Sequence, residues 1–246
     1  LTTADAPTPA ATGRLSGRRA LVTGASRGIG RAVALRFAAE GADLVLVART
    51  EAGLMEVDDA VRQYGRSAAL VPADLTNLDV IDRMGAAIYE RWGHLDILVG
   101  AAAELGILTP IAEVTPQMWE RVLTLNLTAN WRLIRSLDPL LRAAPAGRAI
   151  FVTAAESRGV AYWGPYAVAK AGLEAMVRVY AAEVAKTRLR VNLIDPGPAR
   201  TRLRASAFPG EDPSRVPPPE ALTDAFVALA EPACRHHGAL VRAAAG

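Results

Sequence analysis

Seven short β-branched or apolar runs recur along the chain with helical-period segments between them, and this alternation limits the fold more than any other feature. The runs fall at 20–23, 43–47, 68–73, 96–100, 149–153, 190–194 and 239–242. Each is short enough for a strand buried on both faces. Helical period marks 29–39, and also 114–141, where Trp119, Val122, Leu123, Leu127 and Leu133 form the stripe. The alternation predicts an α/β fold, a parallel sheet of about seven strands with helices on both faces. Ligands of such a sheet sit at the carboxyl ends of the strands.

With 246 residues, 51% of them hydrophobic, one domain can bury a sizeable core without disulfides or metals. We therefore expect a single domain over 14–246. The lone cysteine, Cys234, excludes an internal disulfide framework, and a cytoplasmic protein is expected. His94, His236 and His237 do not fit zinc spacing with Cys234, so no metal is expected. The 28 Lys and Arg against 25 Asp and Glu, without a run of like charge, argue against nucleic acid. No apolar stretch approaches the ~20 residues of a membrane span, and the first residues lack the order of a signal peptide.

Residues 1–13 are small, polar or proline and predict a disordered tail. The stretch 201–219 carries five prolines and no period, and reads as an irregular excursion after a strand end, where a substrate lid would lie. Within it, Glu211 and Asp212 read as a solvated carboxylate pair.

The first run leads directly into Thr23-Gly24-Ala25-Ser26-Arg27-Gly28-Ile29-Gly30, where a helical pattern begins. Glycines at 24, 28 and 30 permit a tight turn, a close approach to a pyrophosphate, and packing of helix on strand. The helix N-terminus would face the anion. Strand, glycine turn and helix together predict a doubly wound Rossmann fold that binds a dinucleotide. The second run ends in Ala48-Arg49-Thr50, without the carboxylate that would hold an NAD ribose. Arg49, with Arg27 in the turn, instead offers planar cationic donors to a 2′-phosphate, so NADP is expected ahead of NAD.

Tyr166 and Lys170 stand four apart at the start of a helical stripe of Leu173, Met176, Val177, Tyr180 and Val184, hence on one face. A phenol of pKa ~10 needs about 4 kcal/mol of differential stabilisation to titrate near neutrality. A nearby ammonium and a positive nicotinamide ring are the expected sources.

On these motifs the chain resembles the short-chain dehydrogenases/reductases from about residue 19 onward. The family's TGxxxGIG appears as Thr23 to Gly30, and its Tyr-x-x-x-Lys as Tyr166 and Lys170. Its adenine-binding aspartate is matched by Asp74, its long-helix asparagine by Asn126, and its Pro-Gly with a threonine four residues on by Pro196, Gly197 and Thr201. The segment around Tyr166 resembles a bacterial branch of NAD(P)-dependent oxidoreductases without an assigned substrate. The resemblance implies a cofactor set of Gly24, Ser26, Arg27, Gly28, Ile29, Gly30, Arg49, Asp74, Leu75, Tyr166, Lys170, Pro196, Gly197 and Thr201. It implies Tyr166 as acid/base, Lys170 as the group that lowers its pKa and holds the nicotinamide ribose, and Asn126 as the holder of a relay water. It also implies a homodimer or homotetramer.

Two family features are missing. The fourth strand ends in Val99-Gly100-Ala101-Ala102-Ala103 instead of Asn-Asn-Ala-Gly, from which some loss of rigidity is expected. The serine that ends the fifth strand in the family is replaced by Ala154. Thr153, thirteen residues before Tyr166, is a candidate catalytic replacement, Ser157 is another, and the third possibility is no replacement donor. The expected function is hydride transfer between NADP(H) and a small-molecule carbonyl or secondary alcohol. A cofactor-binding scaffold or sensor with little turnover is the alternative. Tyr162 and Trp163 either line a substrate pocket or pack on the sheet.

Overall fold

The computed structural model describes residues 13–243, so apart from Gly13 the expected disordered tail lies outside the described residues. All seven apolar runs form strands: β1 Arg19–Thr23, β2 Asp43–Ala48, β3 Ala68–Pro72, β4 Ile97–Gly100, β5 Arg148–Val152, β6 Arg190–Asp195 and β7 Leu240–Arg242. They make one sheet in the order β3-β2-β1-β4-β5-β6-β7, and every pairing is parallel. The chain thus has a doubly wound α/β Rossmann fold. The strand order reverses between β1 and β4, which opens a crevice at their carboxyl ends.

Helices cover both faces because each strand of the centre is apolar on both sides. One layer holds α1 Gly28–Ala39, α2 Glu51–Arg62 and α8 Thr223–Ala230, with Phe37, Leu54 and Phe226 fully buried against Val22, Leu46 and Ile150. The other holds α3 Asp79–Trp92, α5 Ala129–Ala143 and α6 Gly164–Val184, with Ile81, Leu137 and Val177 buried against Leu21, Leu98 and Phe151. The expectation of burial on both faces holds for β4 and β5 but not at the sheet edges. β3 is half-buried and β7 partly exposed, since each has a neighbour on one side only.

The long period at 114–141 resolves into α4 Pro116–Leu123, a π-helical turn Thr124–Thr128, and α5. Thr115 caps α4 by accepting from the Met118 N–H at 3.3 Å. The π-turn is a wide turn that re-aims side chains, and Asn126 lies within it. The stretch 201–219 is less irregular than its prolines suggest, because Thr201 caps a short helix, α7 Arg202–Ala207, by accepting from the Arg204 N–H. Glu211 is not a free solvated carboxylate either: Arg204 grips both its oxygens, at 2.6 and 2.7 Å.

The altered end of β4 is braced by other groups. The Thr23 hydroxyl donates to the Val99 carbonyl at 3.3 Å and accepts from the Ala101 and Ala102 N–H groups at 3.0 and 3.1 Å. Gly100 leaves room for the Asn130 amide, whose Oδ1 would lie 2.6 Å from a Cβ there. Asn130 Nδ2 in turn donates to the Asn126 carbonyl at 2.9 Å. Of these, the Thr23 bonds tie the end of β4 directly to the end of β1. No helix among the described residues is long and apolar enough to cross a membrane.

Candidate functional site

A cleft of about 320 Å³ runs along the carboxyl ends of the central strands. Its first wall is the glycine turn between β1 and α1. Gly24 has φ 68°, and a Cβ there would come within 2.9 Å of Ala102, so turn and β4 loop approach closely only because the side chain is absent. A Cβ on Gly30 would lie 2.3 Å from the Gly24 carbonyl, which is why α1 can seat directly on the turn. No side chain among the described residues caps α1, so its first N–H groups face the cleft without a built-in acceptor.

Of the residues expected to hold the cofactor, Gly24, Ser26, Arg27, Gly28, Ile29 and Gly30 all line the cleft. Arg49, Asp74, Leu75, Pro196, Gly197 and Thr201 line it too, with Tyr166 and Lys170. Arg49 is half-exposed at the end of β2 and stands 3.9 Å from Glu104. Burial pushes the Asp74 carboxyl up, but the N–H and hydroxyl of Thr76, with Arg49 and Arg121 nearby, hold it below its ordinary value. Thr201, far along the chain, lies over the turn: its methyl is 3.3 Å from where a Gly28 Cβ would be.

At the other end of the cleft are Tyr166, 6% exposed, and Lys170, 2% exposed, both on α6. Lys170 Nζ donates to the Val152 carbonyl at 2.7 Å and stands 5.7 Å from the centre of the Tyr166 ring. The phenol pKa is raised above its ordinary value, by burial first and then by the charges of Glu156 and Asp195. Desolvation of the buried side chain leads this shift; the sequence expectation of a lowered phenol joins the lysine to a positive nicotinamide ring.

Burial lowers the Lys170 ammonium from 10.5 to about 8. Between those values the unfolded chain binds more protons than the folded one, so this group makes stability rise with pH. Lys170→Met removes the contribution. From about pH 7.5 to about pH 9.5 the wild type is expected to gain about 2 kcal/mol over that variant. Urea unfolding of both proteins at the two pH values measures the difference, and parallel pH dependences would contradict it.

The remaining candidates are placed differently. Asn126 is fully buried behind the cleft, and its amide is occupied, accepting from the Glu104 N–H at 2.9 Å and donating to the Glu104 carbonyl at 2.8 Å. Thr153 lies just past β5 with its hydroxyl donated to Glu174 at 2.8 Å, and Ser157 donates to the same oxygen at 2.7 Å. Both hydroxyls weighed as replacements for the missing serine therefore bind one carboxylate. Burial pushes Glu174 up, yet Ser157, Thr153 and Arg178 together hold it below its ordinary value. Ala154 lines the cleft between them, offering only a methyl.

Four residues here escaped the sequence reading. Glu174 follows Tyr166 and Lys170 at helical spacing on α6, a signal that was present but not specific. Asp195 precedes the Pro-Gly pair and accepts from the Gly197 N–H at 2.9 Å. Glu104, gripped by Arg121 at 2.7 and 2.9 Å, and Phe208 carried no local signal. Trp163 lines the cleft, with its ring 5.7 Å from Tyr166 and 5.8 Å from Phe208, whereas Tyr162 is exposed with φ 72°.

A doubly wound sheet with a glycine turn at its switch point and a buried tyrosine–lysine pair at the far end of the same cleft defines a nucleotide-dependent oxidoreductase. The family model for short chain dehydrogenase matches residues 18–212, and the chain belongs to that family. It is 38% identical over 209 residues to the uncharacterized oxidoreductase YciK of Escherichia coli strain K12, covering 83% of this chain and 82% of that protein. A short chain dehydrogenase from Shigella flexneri 2a, solved in complex with NADP, matches at a TM-score of 0.90 and 36% identity over 93% of this chain and 98% of that one. Another from Escherichia coli CFT073, in complex with NADPH, gives a TM-score of 0.90 and 36% identity, over 93% and 97% of the two chains.

Proposed function

We propose that the chain is an NADPH-dependent reductase of ketones or aldehydes, with Tyr166 giving the proton to the substrate oxygen. The observation that carries this reading is the buried Tyr166 beside Lys170 in one cleft with Arg49 and Arg27. A phenol carries its proton near neutrality and can give it to an oxygen placed at its Oη, which suits the direction in which a carbonyl becomes an alcohol. The Shigella and Escherichia coli relatives solved with NADP and NADPH support the choice of cofactor.

The donors present fit the dinucleotide. Backbone N–H groups at the start of α1 suit the pyrophosphate, Asp74 suits the adenine, and Arg49 with Arg27 suits the 2′-phosphate. Lys170 would hold the nicotinamide ribose. When bound, the cofactor supplies the hydride. Tyr166 holds and delivers the proton at its Oη, and Lys170, fixed by the Val152 carbonyl, keeps a positive charge beside the phenolate that remains. Thr153 and Ser157 act as ties between the end of β5 and α6, through Glu174. Asn126 shapes the cleft from behind by holding the Glu104 backbone.

The reading is tested by fluorescence titration with NADPH and NADH, followed by turnover against ketones, aldehydes and alcohols on the same sample. Arg49→Ala is expected to weaken NADPH binding by about 10- to 100-fold, a charge-assisted bond being worth ~1.5–3 kcal/mol, and to leave NADH within a few-fold. Equal losses for the two cofactors would remove Arg49 from the 2′-phosphate. A second reading, a cofactor-binding scaffold with little turnover, is favoured by Ala154 and by the engaged hydroxyls of Thr153 and Ser157. Tight NADPH binding without turnover of any carbonyl would select it.

A further inference from the structure

Beyond Tyr166 the cleft is walled by Ala154, Trp163, Leu203, Arg204, Ala207 and Phe208. Five of the six are apolar. The sixth, Arg204, is engaged, with its guanidinium bidentate on Glu211 and 4.5 Å over the Phe208 ring. Of these, Ala154, Leu203 and Ala207 pack against an apolar cluster of Trp163, Tyr166, Ala167, Leu105 and Val122. Tyr166, Trp163 and Phe208 form a row of rings with neighbouring centres 5.7 and 5.8 Å apart. Tyr162, next to Trp163 in the chain, is exposed, as are Ile107 and Ile111, and the Thr109 N–H binds the Tyr162 carbonyl at 3.1 Å. Arg202, next to Thr201, also lines the cleft.

We propose that the reductase site takes an uncharged carbonyl compound bearing a flat apolar ring, seated against Trp163 and Phe208 with its oxygen at Tyr166. The proposal rests on the reductase reading above. Three features carry it. A carbonyl at the Tyr166 hydroxyl must direct its substituents at this wall, where ring faces and methyls offer stacking and dispersion to a flat ring. Glu156 and Asp195 line the cleft near the phenol, but against Trp163, Leu203, Ala207 and Phe208 the hydroxyls of a ketose would lose water without gaining partners, and a buried polar group without a partner is penalised. The carboxylates of Glu156 and Asp195 act on the same phenol and disfavour an anionic 2-oxo acid. Ala154 contributes in the same sense, as its methyl joins the apolar cluster where a hydroxyl would have been a polar contact.

The test is steady-state kinetics of the NADPH-loaded protein with 1-indanone, cyclohexanone, 2-oxobutanoate and fructose, in wild type, Phe208→Ala and Phe208→Tyr. The expected kcat/KM for 1-indanone exceeds those for fructose and 2-oxobutanoate by 100-fold or more. Phe208→Ala lowers the 1-indanone value about tenfold, mainly through KM, while the NADPH Kd stays unchanged and Phe208→Tyr keeps the wild-type value. Fructose or 2-oxobutanoate turned over as well as 1-indanone, or an unchanged KM in Phe208→Ala, would overturn the proposal. Should no probe turn over, calorimetric titration of 1-indanone into the NADPH-loaded protein separates the two readings. Binding that depends on Phe208 supports the ring site and sinks the reductase, whereas no binding sinks the ring site.

Discussion

Tyr166→Phe is expected to lower kcat by about 10²- to 10⁴-fold, the usual worth of a positioned general acid, without loss of fold or of NADPH binding. The substitution removes one oxygen and its proton. The ring stays packed against Trp163, and the hydroxyl makes no hydrogen bond to another of the described residues. No buried donor or acceptor is therefore orphaned, and the loss falls on the chemical step. Single-turnover reduction followed by NADPH absorbance isolates that step, with thermal melting and a cofactor titration as controls. A variant with near wild-type turnover would show that the substrate oxygen takes its proton from elsewhere.

Ala154→Ser is expected to act in the opposite direction. Removing one donor to a developing oxyanion costs on the order of 10²- to 10³-fold, so restoring one is expected to raise kcat by up to about 10²-fold. The backbone of Ala154 is extended, φ −155° and ψ 152°, which serine adopts freely, and the side chain is only partly buried. Thr153→Val is the contrasting variant. Because its hydroxyl donates to Glu174, Thr153 has no proton to offer a substrate, and its loss is expected to leave kcat within about threefold while costing about 1 kcal/mol of stability. If Thr153 is instead the working donor, Thr153→Val loses about 10²-fold and Ala154→Ser adds little. Measuring kcat for both variants on one substrate distinguishes the two arrangements.

The parts of the site that were legible in the chain are those whose chemistry depends on local spacing. The glycine turn declares itself because strand, glycines and helix are contiguous, and Tyr166 and Lys170 because four residues make one helical turn. Arg49 was found from its position just after a strand, where an open sheet gathers its ligand groups, and Asp74 from the resemblance to the family. The bond from Thr153 to Glu174 was not legible, because the partner is 21 residues away on another element. The brace at the end of β4 was missed for the same reason: the Thr23 hydroxyl serves N–H groups 78 and 79 residues on. The extent of the Tyr166 burial was also out of reach, since spacing carries no measure of desolvation.

The sequence by itself determined the strand–helix alternation, the sheet of seven parallel strands and the location of the cleft, because periodicity and turn chemistry act over a few residues and right-handed crossovers leave little choice in assembling them. Only the tertiary structure decided what each polar group in the cleft is free to do. Thr153 and Ser157 are tied to Glu174, Asn126 is occupied by Glu104, Arg204 by Glu211, and the ring of Phe208 is brought beside Trp163. Hydrogen bonds, burial and ring contacts depend on distances between elements far apart in the chain, and those distances exist only once the layers have packed.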